Sequence, residues 1–205
     1  MDRTAIILAG GLSKRLGTHK GLIQLLGKPL IVHVLEKVQG LVEEVLVIVK
    51  SKAQKTILYE VINRDVDFVI DNHNLQVPLI GALKGFEKSQ GDFSLLVPCD
   101  TPFISKKVIR LLFESSKDVE CAIPRWPNGY LEPLQAVYKT ESAFTASKKS
   151  LNCKNWRMQS IINLLRKIRF VSTDKIRVID KDLATFFNIN TIAQLKKAVL
   201  KTDFS

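Results

Sequence analysis

Residues 8–20 read Leu8-Ala9-Gly10-Gly11-Leu12-Ser13-Lys14-Arg15-Leu16-Gly17-Thr18-His19-Lys20, a segment in which small residues and cations fall close together. Adjacent glycines carry no Cβ, so the backbone at Gly10 and Gly11 can approach a ligand closely and aim amide N–H groups at its oxygens. Arg15 and Lys20 place cations in the same stretch, where they would screen a polyphosphate. A glycine-rich connection with incidental basic residues is the competing account. A second group is Asp100, within Pro98-Cys99-Asp100-Thr101-Pro102. A carboxylate there can hold Mg²⁺, which takes few protein ligands and fills its shell from water and substrate phosphates. Asp-Thr-Pro is equally turn chemistry.

Other chemistries find less support. Cys99, Cys121 and Cys153 form no CxxC spacing and are expected as reduced thiols, Cys99 as a small packing residue rather than a nucleophile. His19, His33 and His73 lack zinc-ligand spacing. A Walker loop requires GxxxxGK[ST], whereas Gly21 and Gly27 are separated by five residues and Lys28 is followed by Pro29. The dinucleotide fingerprint GxGxxG is absent from the glycine segment.

The elements that must position these residues follow from the hydrophobic pattern. Short β-type apolar runs at residues 4–8, 44–49, 67–70, 92–97, 119–124, 134–138 and 169–172 alternate with helical stretches at 29–38, 52–62, 78–88, 105–113, 157–166 and 191–200. Pro29 opens the first helix, Ser105 is a candidate N-cap, and Thr191 is expected to cap the last helix. Alternation of this kind predicts an α/β fold in three layers, Rossmann-like, with a mostly parallel central sheet. The glycine segment follows the first strand and Asp100 the fourth, so both fall at the carboxyl edge of the sheet, where such folds bind ligands. No low-complexity linker interrupts residues 1–205, which are expected to form a single domain.

The chain has 205 residues, of which 46% are apolar and 25% charged, an ordinary globular composition that excludes disorder and fibrous repeats. Apolar runs are too short to cross a bilayer, and residues 5–9 are too few for a signal-peptide core, so a cytoplasmic location and no membrane partner are expected. The formal charge is +11, and residues 139–205 carry fourteen Lys/Arg against five Asp/Glu. That excess suggests an anionic partner. No nucleic-acid reading module accompanies it, so a phosphate-bearing small molecule is the expectation and nucleic acid is not.

LAGGLSKRLG, the following Lys20, and Gly27-Lys28-Pro29-Leu30-Ile31 resemble the signature of the molybdenum cofactor guanylyltransferases, within the wider nucleotidyltransferase group. The resemblance continues through Pro98-Cys99-Asp100-Thr101-Pro102-Phe103, Glu132-Pro133-Leu134 and Asn188-Ile189-Asn190-Thr191. It implies a nucleotidyltransferase fold with transfer of GMP from GTP to the phosphate of molybdopterin, releasing pyrophosphate. It further implies Leu8, Ala9, Gly10, Gly11, Lys20, Asp71 and Asp100 as nucleotide contacts, and Arg15, Lys20 and Asp100 as catalytic groups. Asp100 would be the Mg²⁺ ligand, and Asn188 and Asn190 would face the pterin or its phosphate. The nucleotide and metal would then belong to residues 1–104 and the molybdopterin to residues 105–205, with Arg157 a further candidate for the acceptor phosphate. Cofactor-synthesis or molybdoenzyme-maturation proteins are the expected protein partners.

The sequence departs from the pattern in two places. His19 stands where the family has Asp before the lysine, and Val77-Pro78-Leu79 replaces Gly-Pro-Leu. Asp71-Asn72 is also turn chemistry in its own right, and Asn190-Thr191 sits where a helix is capped. Cytidylyl transfer to molybdopterin, nucleotidyl transfer to a sugar phosphate, and a non-catalytic polyanion-binding protein are the alternatives.

Overall fold

A computed structural model describes residues 2–13, 18–62, 65–71 and 73–202. Seven strands, β1 (Arg3–Leu8), β2 (Glu44–Val49), β3 (Asp67–Ile70), β4 (Phe93–Pro98), β5 (Cys121–Arg125), β6 (Ala136–Lys139) and β7 (Ile168–Ser172), form one sheet in the order β7-β5-β6-β4-β1-β2-β3. Pairing is parallel except at β6, which runs antiparallel to β4 and to β5. The helices are α1 (Leu30–Val38), α2 (Lys52–Val61), α3 (Pro78–Lys88), α4 (Lys106–Ser115), α5 (Thr140–Asn152), α6 (Met158–Ile162), α7 (Thr173–Ile179) and α8 (Ile192–Thr202).

The two-residue period of the strands divides the core between two faces. Ala5, Ile7, Val47, Val49, Leu95 and Val97 point to one side, against Val34 and Leu35 of α1, Leu58 of α2 and Ile109 and Phe113 of α4. Ile6, Leu46, Ile48 and Leu96 point to the other, against Leu79 and Phe86 of α3, Ala143 of α5 and Ile161 of α6. Covering both faces is what lets β1, β2 and β4 read as unbroken apolar runs. The three layers predicted from the sequence are therefore present, with the sheet mostly parallel. A smaller cluster of Ile23, Leu25, Leu30, Ile189 and Ala198 fastens α8 beside the chain leaving the glycine segment.

Several expected elements differ. The helix expected over 157–166 is confined to Met158–Ile162. Leu164 and Leu165 donate to Ile161 and Ile162 three residues back, so the end tightens into turns. The strand expected over 134–138 is Ala136–Lys139, because Gln135 donates to the Glu132 carbonyl in a turn. Helices α5 and α7 were not signalled. The buried side of α5 is Ala143, Ala146, Ser147 and Ser150, too small and polar to give an apolar stripe. Its Ser147 hydroxyl returns to the Ala143 carbonyl at 2.7 Å. Pro29 is the residue before α1 rather than its first turn. Ser105 precedes α4 but makes no side-chain cap. Thr191 caps as expected, accepting from Gln194 N at 3.2 Å.

Cys99 and Cys121 are buried, whereas Cys153 is exposed. Burial pushes both buried thiols well above their ordinary value, and neighbouring Asp100 adds to the effect at Cys99. The thiolate is the reactive form. At pH 8 a disulfide reagent should modify one thiol per native chain, at Cys153, and reach the other two only on unfolding. Rapid labelling of Cys99 in folded protein would contradict this packing.

Candidate active site

Hydrogen bonds of the sheet run one residue past several strands. Ala9 N donates to Ile48 O at 2.9 Å, Cys99 N to Leu8 O at 3.1 Å, and Asp71 N to Val49 O at 2.7 Å. The carboxyl ends of β1, β2, β3 and β4 are thereby held side by side. A cavity of about 390 Å³ opens over them. Its walls include Leu8, Gly10, Gly11, Lys20, Asp71, Asp100, Asn188 and Asn190, which brings together nearly all the residues singled out in the sequence. Ala9 is fully buried and does not line the cavity. Arg15 lies outside the described residues. Arg157 is exposed and is not among the lining residues.

One end of the cavity is polar. Lys20 Nζ donates to Asp100 Oδ2 at 2.9 Å and also to the Asn190 side-chain oxygen. Asp100 is buried, and its backbone carbonyl accepts from Ile189 N at 2.9 Å, tying the segment of Asn188 and Asn190 to the end of β4. Thr101 Oγ1 donates to Pro98 O at 2.9 Å, so the turn chemistry of Asp-Thr-Pro is realised around a carboxylate that still faces the cavity. Asn190 N donates to Gln194 Oε1 at 2.8 Å, and the α8 cap leaves the Asn190 side chain free to reach Lys20.

The other end joins Lys50 and Asp71. Lys50 Nζ lies 2.5 Å from Asp71 Oδ2 and donates to Leu75 O at 3.2 Å. Asp71 Oδ1 accepts from His73 N at 3.1 Å, the hydrogen bond of an Asx turn. The turn expected at Asp71 is present through one oxygen, while the other meets Lys50 and the residue lines the cavity. Sequence reasoning missed Lys50, although its place one residue beyond β2, at the carboxyl edge, was the signal that could have found it.

Two side chains shape the glycine loop. A Cβ on Gly10 would lie 2.9 Å from Lys50 Cγ, and one on Gly11 would lie 3.6 Å from Lys20 Cδ. The paired glycines thus face the two lysines separately. Gln54, buried on α2, donates from Nε2 to Ala9 O at 2.7 Å and accepts from Lys50 N at 2.8 Å. It fixes the loop and the end of β2 together, and nothing in its sequence context marks it.

The departures from the family pattern are accommodated. Val77 precedes α3 with Pro78 in its first turn, and both line the cavity. His19 is partly buried and is not among the lining residues. Leu134 lines the cavity, while Glu132 accepts from Trp126 Nε1 at 2.8 Å. Burial pushes the Glu132 carboxyl up, against the lowering effect of that bond. Among the described residues no cluster of three His, Cys, Asp or Glu could hold a metal. No helix among them is long and apolar enough to cross a membrane.

The sheet and its flanking helices have the fold of solved nucleotidyltransferases. A solved molybdopterin-guanine dinucleotide biosynthesis protein A from Archaeoglobus fulgidus is similar over 99% of this chain and 100% of its own, with TM-score 0.83 and 25% identity. A 2-C-methyl-D-erythritol 4-phosphate cytidylyltransferase from Thermus thermophilus shares the fold at TM-score 0.71 and 14% identity, over 99% and 100% of the two chains. The chain belongs to the MobA-like NTP transferase domain family, whose sequence model matches residues 5–167. Among its relatives, a protein of Methanosarcina mazei named "Probable molybdenum cofactor guanylyltransferase" is 33% identical, over 96% of this chain and 90% of the relative. A molybdenum cofactor guanylyltransferase of Desulfosudis oleivorans is 27% identical, over 95% and 93%.

Replacing Gln54 with Leu leaves the buried Ala9 carbonyl without its partner and removes the acceptor for Lys50 N. A loss of about 1–3 kcal/mol is expected, read as a lower urea midpoint with unchanged m-value. An unchanged midpoint would remove Gln54 from the support of the loop.

Proposed function

We propose that the protein is a molybdenum cofactor guanylyltransferase, transferring GMP from GTP to molybdopterin. What carries the reading is the convergence of Gly10, Gly11, Lys20 and Asp100 on one cavity, in a chain whose relatives bear that name. An oxygen of the molybdopterin phosphate attacks the α-phosphorus of GTP and forms a new P–O–P linkage. The bond from the α-phosphorus to the bridging oxygen breaks, and its electrons leave with pyrophosphate. The attacking phosphate oxygen is already ionised, so no protein base is required.

Asp100 and the Asn190 side chain offer oxygen donors of the kind a hard divalent cation takes, with too few protein ligands to enclose it. That donor set fits Mg²⁺, with Asp100 as the holding residue. When bound, the cation would neutralise triphosphate charge and favour departure of pyrophosphate. Lys20 supplies a mobile ammonium beside the glycine loop and stabilises the charge that develops on the leaving phosphates. Gly10 and Gly11 admit the nucleotide close to the backbone. Asp71 binds the nucleoside portion. Asn188 and Asn190 face the acceptor, which makes residues 105–205 the acceptor side and residues 1–104 the nucleotide side. Most of the acceleration expected of such a site is positioning and charge stabilisation.

The test is pyrophosphate release with molybdopterin as acceptor, with and without Mg²⁺, using GTP and CTP in separate reactions. Release with GTP and Mg²⁺ is expected, with a fall of about 10²–10³-fold in kcat for Asp100→Ala. Release with CTP alone would reassign the nucleotide, and salt-steep polyanion binding indifferent to Asp100 would leave a binding protein instead.

A further inference from the structure

The two ends of the cavity are chemically unlike. Around Lys20 the walls are polar, with Asp100, Asn188 and Asn190. Around Lys50 and Asp71 they include the apolar Leu8, Ile48, Val77 and Pro78. A Cβ on Gly81 would stand 3.1 Å from Leu8 Cδ2, 3.6 Å from Ile48 Cγ2 and 3.9 Å from Asp71 Oδ2. Position 81, with no side chain, thus lets α3 pack directly on Leu8 and Ile48 at the cavity wall beside Asp71. Apolar walls closing on a donor and an acceptor suit a flat heteroaromatic ring with a hydrogen-bonding edge, whereas a polyphosphate would suit the polar end.

The hydrogen-bonding groups offered to such a ring are an ammonium and a carboxylate, side by side. Lys50 Nζ lies 2.5 Å from Asp71 Oδ2, and the lysine is still about a fifth exposed while Asp71 is almost wholly buried. An ammonium is donor only and an ionised carboxylate acceptor only. Guanine presents a carbonyl acceptor at position 6 beside the N1–H and 2-amino donors, whereas adenine presents a donor amino group at position 6. Donor beside acceptor on the protein thus matches acceptor beside donors on guanine, and a 6-amino group would set donor against donor. Gly10 belongs to the same arrangement, since a Cβ there would meet Lys50 Cγ at 2.9 Å and move the stem.

We propose that Lys50 is a specificity-determining residue that donates to the 6-oxo group of the guanine while Asp71 accepts from its N1–H and 2-amino edge. The inference rests on the guanylyltransferase reading. It predicts that discrimination at position 6 of the purine resides in Lys50, one residue past β2, and leaves the catalytic groups at the Lys20 end untouched.

The experiment is equilibrium binding of GTP, 6-thio-GTP and ATP, each with Mg²⁺, to wild-type protein and to Lys50→Met. Thiocarbonyl sulfur is a poor acceptor, but 6-thio-GTP keeps the N1–H and 2-amino donors. Wild-type protein should bind GTP more tightly than 6-thio-GTP and ATP. Lys50→Met should weaken GTP by roughly 10–150-fold, as loss of a charged hydrogen bond does. It should weaken the other two much less, closing the gap between GTP and 6-thio-GTP. Lys50→Gln, which keeps a neutral donor, should fall between them and carries the same comparison should Lys50→Met fail to fold. Equal losses for GTP and 6-thio-GTP would overturn the inference and make Lys50 a positioning residue for Asp71. Equal losses for all three would assign it to phosphate or ribose. A wild-type protein that binds GTP no better than 6-thio-GTP would also overturn it. No binding of any of the three would overturn the guanylyltransferase reading itself, and the inference with it.

Discussion

Parallel pairing forces β1, β2, β3 and β4 to finish at one level, and Lys50, Asp71 and Asp100 owe their places in the cavity to that. In a parallel sheet the carboxyl ends fall on the same edge, so residues just past each strand become neighbours however distant in sequence. Here the ladder continues one step beyond the strands through Ala9, Asp71 and Cys99. Gly10, Gly11, Lys50, Asp71 and Asp100 each lie within three residues of a strand end. Side chains so placed inherit the rigidity of the sheet. Lys20 arrives differently, on a short helical turn held by Lys20 N to Gly11 O at 3.2 Å, which returns the chain to the glycines it has just left.

The two lysine–aspartate pairs are better understood as preparations for a ligand than as fastenings of the fold. Removing both charges of a pair from water costs several kcal/mol per ion, by order of magnitude, and mutual attraction repays that only with good geometry and further hydrogen bonds. An unpaired buried carboxylate would be worse still. Asp71 is almost fully buried against Lys50, and Asp100 similarly against Lys20, so each anion is paired with a cation. Each lysine also has a second partner, Asn190 for Lys20 and the Leu75 carbonyl for Lys50. A ligand that supplies oxygens can take a share of these donors without leaving the aspartates bare.

How legible this was from the residues depended on whether they announce themselves locally. Alternating apolar runs specified the layers, because strands buried on both faces must be apolar throughout, and residues 67–70 and 78–88 were bounded as the structure has them. Gly10-Gly11 and Asp100 stood out through spacing around predicted strand ends. Helix α5 was hidden, since its contact with the sheet is made by alanines and serines whose hydroxyls bond to backbone rather than by a stripe of large apolar groups. Lys50 and Gln54 were hidden for another reason. A lysine after a strand and a glutamine in a helix are ordinary surface residues until tertiary structure turns one into the cavity and buries the other beneath the glycine loop.

Net charge was informative about the molecule and misleading about the cavity. The basic excess of residues 139–205 invites the view that an anionic ligand is held there, yet among the described residues that stretch supplies only Asn188 and Asn190 to the lining, both neutral. The cations in the cavity, Lys20 and Lys50, come from the nearly balanced first half. Geometry explains the contrast. Exposed lysines on α5, α7 and α8 stand in water, where their fields are screened within roughly 8–10 Å, whereas Lys20 and Lys50 are partly desolvated and aimed by buried carboxylates. What the second half contributes is placement. The packing of Ile189 and Ala198, the Thr191–Gln194 cap and the bond from Ile189 N to Asp100 O fix two asparagine side chains at the edge of the cavity, one of them on Lys20. An uncharged wall set this firmly holds hydrogen-bonding groups at the cavity without adding to its charge.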